Sequence, residues 1–163
     1  FADRPDMDDV IVQELLPNPL VVLARDDHPL ARETNIPFAR LADEPFLVRE
    51  EGSGARRIMM RLFREQGLTP RLSMELGTNE AIKEAILAGL GIAILSRYTF
   101  GLDPESSRYR CLDVQGFPID NHWYFAWPAG KQLSATAWAF LEVARTQARS
   151  LVLESLTDGG SRR

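Results

Sequence analysis

The sequence predicts an α/β fold built around parallel strands that are joined through helices. Three apolar segments of strand length, Pro45–Arg49, Leu72–Leu76 and Gly91–Leu95, alternate with two segments of helical periodicity. Strands that are joined through helices pair in parallel and have right-handed crossovers. The carboxyl ends of the three strands should therefore meet at one edge of the sheet, which is where open α/β sheets bind ligands.

Two amphipathic helices are predicted between these strands. The first extends from the cap position Ser53 to Arg64, with apolar residues at helical spacing on one side and arginines on the other. The second begins after Thr78 and continues to Leu87. Serine and threonine are favoured at helix starts because their side-chain oxygens accept hydrogen bonds from unpaired backbone N–H groups. The first two strands are thus each followed by a helix start.

The segments that precede this region are predicted to be a linker, a strand and a short helix. Residues 1–10 are typical of a linker, and we expect the chain to be a fragment of a longer protein. Pro19–Ala24 is apolar and predicted to be a strand. Asp26–Pro29 should be a turn, because proline disfavours helix at the residue before it. Pro37–Leu41 is predicted to form a short helix.

The segments that follow are predicted to be an irregular stretch, two strands and a final helix. The irregular stretch is Tyr98–Arg108, and the strands are Tyr109–Val114 and His122–Trp127. Turn residues connect these strands, which indicates that they pair antiparallel. Ser134 should cap a last helix that ends near Leu153. The polar end of the chain, from residue 157, has the composition of disorder.

Composition and charge restrict the class of partner. The chain has 163 residues, of which 45% are hydrophobic and 26% charged, so it can form an ordinary globular core. Its net charge of -4 lacks the basic surface that direct binding to phosphate backbones requires. The single cysteine, Cys111, lies in a strand-like context and is predicted to be a buried thiol in a reducing compartment. With no signal peptide and no apolar segment long enough to span a bilayer, we expect a cytosolic protein without membrane contact.

The common catalytic and cofactor motifs do not fit. Ser53 lacks the G-x-S-x-G elbow, because Glu51 and Ala55 occupy the glycine positions. The two histidines, His28 and His122, are in a turn and at a strand start, and neither suggests a general base beside a nucleophile. The glycine pattern of a dinucleotide fingerprint, the phosphate-binding loop and metal-ligand spacings are also missing. The sequence therefore predicts a binding protein with no enzyme activity, no metal and no cofactor.

The residues at the three strand ends are suited to holding a small anion. Helix N-termini present unpaired backbone N–H groups and a partial positive charge. Hydroxyl, amide and guanidinium groups at the same edge would add donors and charge. The candidate ligand-binding residues are Gly52, Ser53, Gly54, Arg56, Thr78, Asn79, Ser96 and Arg97.

When each of these residues is considered alone, a structural role explains it about as well as ligand binding does. Ser53 and Thr78 could be ordinary helix caps, each contributing about 1 kcal/mol without any ligand. Arg56 could form a surface ion pair with Glu50 or Glu51, and Arg97 could form a salt bridge at the rim of the crevice. The convergence of all of them at one edge is the observation that favours a ligand site.

The region from Phe46 to Arg97 resembles a known family. Its sequence, FLVREEGSGARRIMMRLFREQGLTPRLSMELGTNEAIKEAILAGLGIAILSR, is similar to the second half of the effector-binding domain of LysR-type transcriptional regulators. Within that family it is most similar to regulators of the Calvin-cycle carbon-fixation operon. Residues 18–31, NPLVVLARDDHPLA, resemble the crossover between the two subdomains, and residues 116–131, GFPIDNHWYFAWPAGK, resemble the returning segment.

The resemblance implies a fold like that of the periplasmic binding proteins, with an effector between two subdomains. The chain would comprise mainly the second Rossmann-like regulatory subdomain, both crossover strands and a C-terminal helix. Its expected divisions are a linker or end of subdomain one at 1–17, subdomain two at 18–128, a C-terminal helix that packs on subdomain one at 129–153 and a disordered tail at 154–163. The DNA-binding winged helix-turn-helix and most of subdomain one would be missing from it.

The family also implies partners for the intact protein. The effector would be a small anionic metabolite: a phosphorylated sugar or acid, or a reduced nicotinamide nucleotide. The intact protein would be a homodimer or tetramer and would contact promoter DNA through the missing N-terminal domain. A piece of a binding-protein-fold enzyme, such as prephenate dehydratase or porphobilinogen deaminase, and a solute-binding protein remain alternatives.

Overall fold

The computed structural model describes residues 8–101 and 108–158, which form two compact units. One unit comprises the chain up to Asn18 together with the chain from Asp120 onward, and the other is Pro19–Ile119. In chain order the elements are β1 (Val10–Pro17), β2 (Leu20–Arg25), two short 3-10 helices (Pro29–Arg32 and Phe38–Asp43), β3 (Pro45–Arg49), α1 (Gly54–Glu65), β4 (Arg71–Leu76), α2 (Asn79–Leu87), β5 (Ala93–Ser96), α3 (Tyr98–Gly101), β6 (Tyr109–Cys111), β7 (His122–Pro128) and α4 (Ala135–Asp158).

The larger unit, Pro19–Ile119, contains a mixed sheet with the strand order β4-β3-β5-β2-β6. β3 pairs in parallel with β4, and β2 pairs antiparallel with both β5 and β6. A parallel bridge between Phe46 and Ile92 joins β3 to β5, with backbone hydrogen bonds from Leu47 N–H to the Ile92 carbonyl and from Ile92 N–H to the Pro45 carbonyl, both 2.9 Å. The carboxyl ends of β3, β4 and β5 therefore lie at one edge, and the predicted α/β class is confirmed.

Helices pack on both faces of this sheet. α1 covers one face with Ile58, Met59 and Phe63, and Phe63 contacts Phe38 and Phe46 with ring centroids 4.7 and 5.4 Å apart. α2 belongs to a separate core cluster on the opposite face. Alternate residues of the central strands point to the two clusters, as expected for a sheet that is buried on both sides. Residues 92–95 accordingly form a fully buried run.

The strand β4 differs from its prediction. Its alternating sequence predicts one dry face, yet Leu72 and Met74 are 43% and 41% exposed. β4 is the edge strand, with β3 as its neighbour in the sheet, and the two core clusters lie mainly over β3, β5 and β2. The strand itself was predicted correctly, whereas burial of its apolar face was wrong.

The predicted antiparallel pairing of Tyr109–Val114 with His122–Trp127 is wrong. β6 pairs with β2, and β7 pairs with β1. Before β7 the chain turns back to β2, where Leu20 and Ile119 exchange backbone hydrogen bonds of 3.1 and 2.9 Å. The turn residues between the two strands therefore lead from one unit into the other, and they do not form a hairpin.

The smaller unit contains a two-stranded antiparallel sheet and the last helix. Residues 10–17, predicted as a linker or the end of subdomain one, form β1, because they are paired along their length with β7. Ser134 caps α4 as predicted, its Oγ accepting a hydrogen bond from Ala137 N–H at 3.2 Å. α4 continues to Asp158, beyond the predicted end, so the expected disordered tail is helical at residues 154–158. Residues 159–163 lie outside the described part of the chain.

Three smaller predictions also need correction or restriction. The short helix predicted at Pro37–Leu41 is a 3-10 helix displaced to Phe38–Asp43. The stretch predicted as irregular begins with the short helix α3, and its residues 102–107 are not among those described. Cys111 is exposed, although partial desolvation still raises the pKa of its thiol.

Of the helices in the described part of the chain, none is long and apolar enough to cross a membrane.

Two neighbouring methionines of α1 test the packing of this helix on the sheet. Met59 is 2% exposed and Met60 is 38% exposed. We expect Met59→Ala to lower the free energy of unfolding by about 2 to 5 kcal/mol, because it leaves a cavity in the core. Met60→Ala should cost less than about 1 kcal/mol. Urea unfolding followed by circular dichroism measures both, and equal losses would contradict the burial of this face.

Candidate functional site

The first strand end leads into α1 through a tight turn. Ser53 N–H donates to the Glu50 carbonyl at 3.1 Å, which closes the turn around Glu51 and Gly52. Gly52 has a φ of 97°, a left-handed conformation that glycine adopts at little cost and other residues avoid. The turn places Ser53 directly before the first helical residue, Gly54.

α1 begins without a side-chain cap. Ser53 occupies the cap position, but its hydroxyl accepts no hydrogen bond from the helix, so the predicted capping role is wrong. Its carbonyl accepts a hydrogen bond from the N–H of Arg57, at 3.1 Å. Within the described residues, no acceptor is found for the N–H groups of Gly54, Ala55 or Arg56. Three backbone donors and one hydroxyl are thus available where the helix dipole is positive.

The second helix start has a side-chain cap for one of its backbone donors. Thr78 caps α2 as predicted, and its Oγ1 accepts a hydrogen bond from Ala81 N–H at 3.1 Å. Glu80 in the first turn adds a negative charge that the helix dipole favours. The two helix starts therefore differ: α2 has an internal cap, whereas α1 leaves its donors open.

Arg49 connects the two helix starts. Its guanidinium donates two hydrogen bonds to the Glu50 carboxylate, at 2.7 and 2.9 Å, and one to Oδ1 of Asn79, at 2.8 Å. The hydrogen bond from Arg49 is the main reason that the pKa of Glu50 is lowered. Arg49 was not among the ligand-binding residues predicted from the sequence, although it is, like Arg97, a charged residue at the end of a strand.

Arg56 holds α1 against the ends of β3 and β4. Its guanidinium donates to the Arg49 carbonyl at 2.9 Å and forms an ion pair with Glu75. Glu51 lies 3.8 Å away, so the ion pair that the sequence offered as an alternative is present with Glu51. The partner with the shorter contact, Glu75, was not predicted. Only 14% of the Arg56 side chain is exposed, so it has a packing role in addition to its charge.

The third strand end presents Ser96 and Arg97 beside the first. Ser96 Oγ accepts a hydrogen bond from Tyr98 N–H at 3.3 Å, at the start of α3. Arg97 N–H donates to the Pro19 carbonyl at 2.9 Å, while the residue as a whole is exposed. Among residues 8–101 and 108–158, no carboxylate is found within 4.0 Å of the Arg97 guanidinium. The salt bridge that was the alternative role of Arg97 is therefore not formed within these residues.

Together these groups form an edge that can bind an oxyanion. The open donors at the start of α1, the Ser53 hydroxyl and the exposed Arg97 supply hydrogen bonds and positive charge. No group of three or more His, Cys, Asp or Glu side chains that could hold a metal ion occurs in the described part of the chain. The arrangement is that of a small-molecule binding unit of the α/β class.

Comparison with known proteins identifies the family. Residues 1–149 match the LysR substrate binding domain, and the chain belongs to this family. It is 46% identical over 140 residues to a RuBisCO operon transcriptional regulator of Allochromatium vinosum. It is 44% identical over 143 residues to the HTH-type transcriptional activator CmpR of a Synechocystis strain. These alignments cover 86% and 87% of this chain but 46% and 47% of the relatives, so the chain spans about half of their length.

A solved structure gives the same result. The regulatory domain of CcmR from Synechocystis, in complex with 2-PG, superimposes with a TM-score of 0.83 at 44% identity. The match covers 90% of this chain and 70% of that one. The predicted resemblance to LysR-type regulators, and within them to regulators of carbon-fixation operons, is confirmed.

The contrast between the two helix starts gives a stability prediction. Thr78→Ala should lower the free energy of unfolding by about 1 kcal/mol, because it removes the hydrogen bond to Ala81 N–H. Ser53→Ala should change it by less than about 0.5 kcal/mol, because its hydroxyl caps nothing. Both variants can be compared by urea unfolding in a buffer free of phosphate and sulfate. A loss for Ser53→Ala equal to that for Thr78→Ala would show that Ser53 caps α1 in solution.

Proposed function

We propose that this chain is the effector-sensing part of a LysR-type transcriptional regulator and that it binds a small anionic metabolite at the start of α1. The ligand groups are the backbone N–H groups of Gly54 and the two residues after it, the Ser53 hydroxyl and Arg97. Gly52 shapes the turn that exposes these donors. The protein acts by binding and carries out no reaction.

The uncapped start of α1 is the observation on which this proposal depends. Helix N–H groups are normally satisfied by a cap, by water or by a ligand. Ser53 is a good capping residue that makes no cap, while Thr78 at the start of α2 makes one. A phosphate or carboxylate group placed there would accept the free N–H groups and a hydrogen bond from the Ser53 hydroxyl.

A phosphorylated acid is the ligand class that fits best. The related CcmR domain binds 2-phosphoglycolate. A phosphate at the start of α1 would use the backbone donors, and Arg97 beside it would compensate the remaining charge. Ser96, Thr78 and Asn79 line the neighbouring strand ends. We propose that Arg56 acts by raising the local potential, because its guanidinium already contacts Glu75 and the Arg49 carbonyl.

The remaining parts of the regulator complete its action. The relatives are named as transcriptional regulators and are about twice as long as this chain. We propose that a preceding segment carries the DNA-binding domain and the rest of the effector domain, and that the intact protein is a cytoplasmic homodimer or tetramer. Effector binding would shift the populations of two arrangements of this assembly and so change its contact with promoter DNA.

The effector prediction concerns Ser53. We expect the full-length protein to bind 2-phosphoglycolate, and Ser53→Ala to weaken binding about tenfold by removing one hydrogen bond to a charged group. Isothermal titration calorimetry gives the dissociation constants. Ser73→Ala, the same change at an exposed position of β4, is the matched control and should bind as the wild type does. Equal binding by all three proteins would contradict the site; absence of binding by the wild type would contradict the ligand class.

A second functional prediction concerns Arg97. In the full-length protein, Arg97→Ala should reduce the effector-dependent change in promoter binding while leaving the melting temperature unchanged, because the side chain is exposed and supports the ligand more than the core. Arg71→Ala, at an exposed position at the start of β4, is the control with the same change of charge. Gel-shift titrations with and without 2-phosphoglycolate measure the response. A large fall in melting temperature would instead indicate a structural role.

A further inference from the structure

The Asn79 side chain is held in one orientation. Arginine has only donors, so the carboxamide atom that faces Arg49 must be the oxygen, Oδ1. The bond from Arg49 Nη1 to this oxygen is 2.8 Å long. In the described part of the chain, no acceptor is found for the amide nitrogen Nδ2 of Asn79. Asn79 therefore presents an NH2 group with two donors at the start of α2.

The charge of Arg49 is already used within the structure. Two of its hydrogen bonds go to the Glu50 carboxylate in a side-on geometry, and its side chain is only 23% exposed. Bidentate pairs of this kind fix the guanidinium plane. The remaining bond goes to Asn79, so the plane that Glu50 fixes also fixes the carboxamide. Arg49 is placed to orient another group rather than to meet an anion itself.

We propose that Arg49 is a positioning residue for anion recognition, and that it acts by turning the NH2 group of Asn79 toward the ligand. This inference rests on the proposed function, because it specifies how the second helix start contributes to the same site. Thr78 already caps α2, so the Asn79 side chain is not needed there as a cap. Its amide is then available to a ligand, and Arg49 connects it to Glu50, the residue with which the turn before α1 begins.

The proposal also assigns a selectivity. The NH2 group that faces away from Arg49 can donate to a ligand but cannot accept from one. The site would therefore favour ligands that present phosphate or carboxylate oxygens next to Asn79 and would disfavour ligands that present hydroxyl or amino donors there. Without Arg49 the Asn79 carboxamide could rotate and present its oxygen to the ligand, and the preference for ligands with phosphate or carboxylate oxygens would be lost.

A double-mutant cycle tests whether Arg49 acts through Asn79. In the full-length protein, Arg49→Met and Asn79→Ala should each weaken binding of 2-phosphoglycolate about tenfold, the effect of one hydrogen bond to a charged group. The double variant should lose much less than about a hundredfold, because both changes remove the hydrogen bond between Arg49 and Asn79. Arg49→Lys, which keeps a donor for Oδ1, should recover part of the loss. Melting temperatures show that each variant is folded.

The variant Asn79→Asp tests the orientation of the NH2 group separately from the packing of the side chain. It keeps an oxygen for Arg49 but replaces the NH2 group with a second, negatively charged acceptor, so binding should fall by more than about tenfold. Wild-type affinity in Asn79→Asp, or additive losses in the cycle, would overturn the inference. If Ser53→Ala loses affinity while every Arg49 and Asn79 variant binds normally, this inference fails and the proposed function stands. Absence of binding by the wild type would instead contradict the ligand class given under the proposed function.

Discussion

The parallel bridge between β3 and β5 is the constraint on which the rest of the site depends. Two backbone hydrogen bonds join these strands, and they require a close approach at Gly91, where a Cβ atom would lie 2.2 Å from the Pro45 carbonyl oxygen. Because of this contact, β5 lies beside β3 and in the same direction. The ends of β3, β4 and β5 consequently share one edge, and residues about 50 positions apart in the chain become neighbours.

The two helix starts at this edge differ in role: that of α2 contributes to stability, and that of α1 provides groups for binding. α2 is capped by Thr78 and carries an acidic residue in its first turn, so it stabilises itself without a ligand. α1 has no such cap and leaves hydrogen-bonding capacity unused. The packing of Phe63 and its neighbours on the sheet compensates, because a helix with a well-buried apolar face does not depend on its cap. The free protein therefore tolerates the unpaired N–H groups of α1, and the same groups can bind an anion.

Local pattern was sufficient for most of the elements near the site. Helical spacing and strand-length apolar runs predicted β3, α1, β4, α2 and β5 close to their observed bounds, because the spacing of apolar residues within each element is regular. The pairing of β6 and β7 could not be predicted in the same way. Turn residues between two strands indicate a change of direction, but the return of the chain to Leu20 depends on contacts that are distant in sequence.

The sequence by itself determined which polar groups lie at the strand ends. Strand ends and helix starts follow from local periodicity and from Gly, Ser and Thr at fixed positions. Only the tertiary structure decided which partner each of these groups has. Whether Ser53 caps a helix depends on the rotamer and the turn, and the bond from Arg49 to Asn79 depends on β3 lying beside β4. Side-chain partners across a sheet are chosen by distance in space, and a linear pattern does not contain that distance.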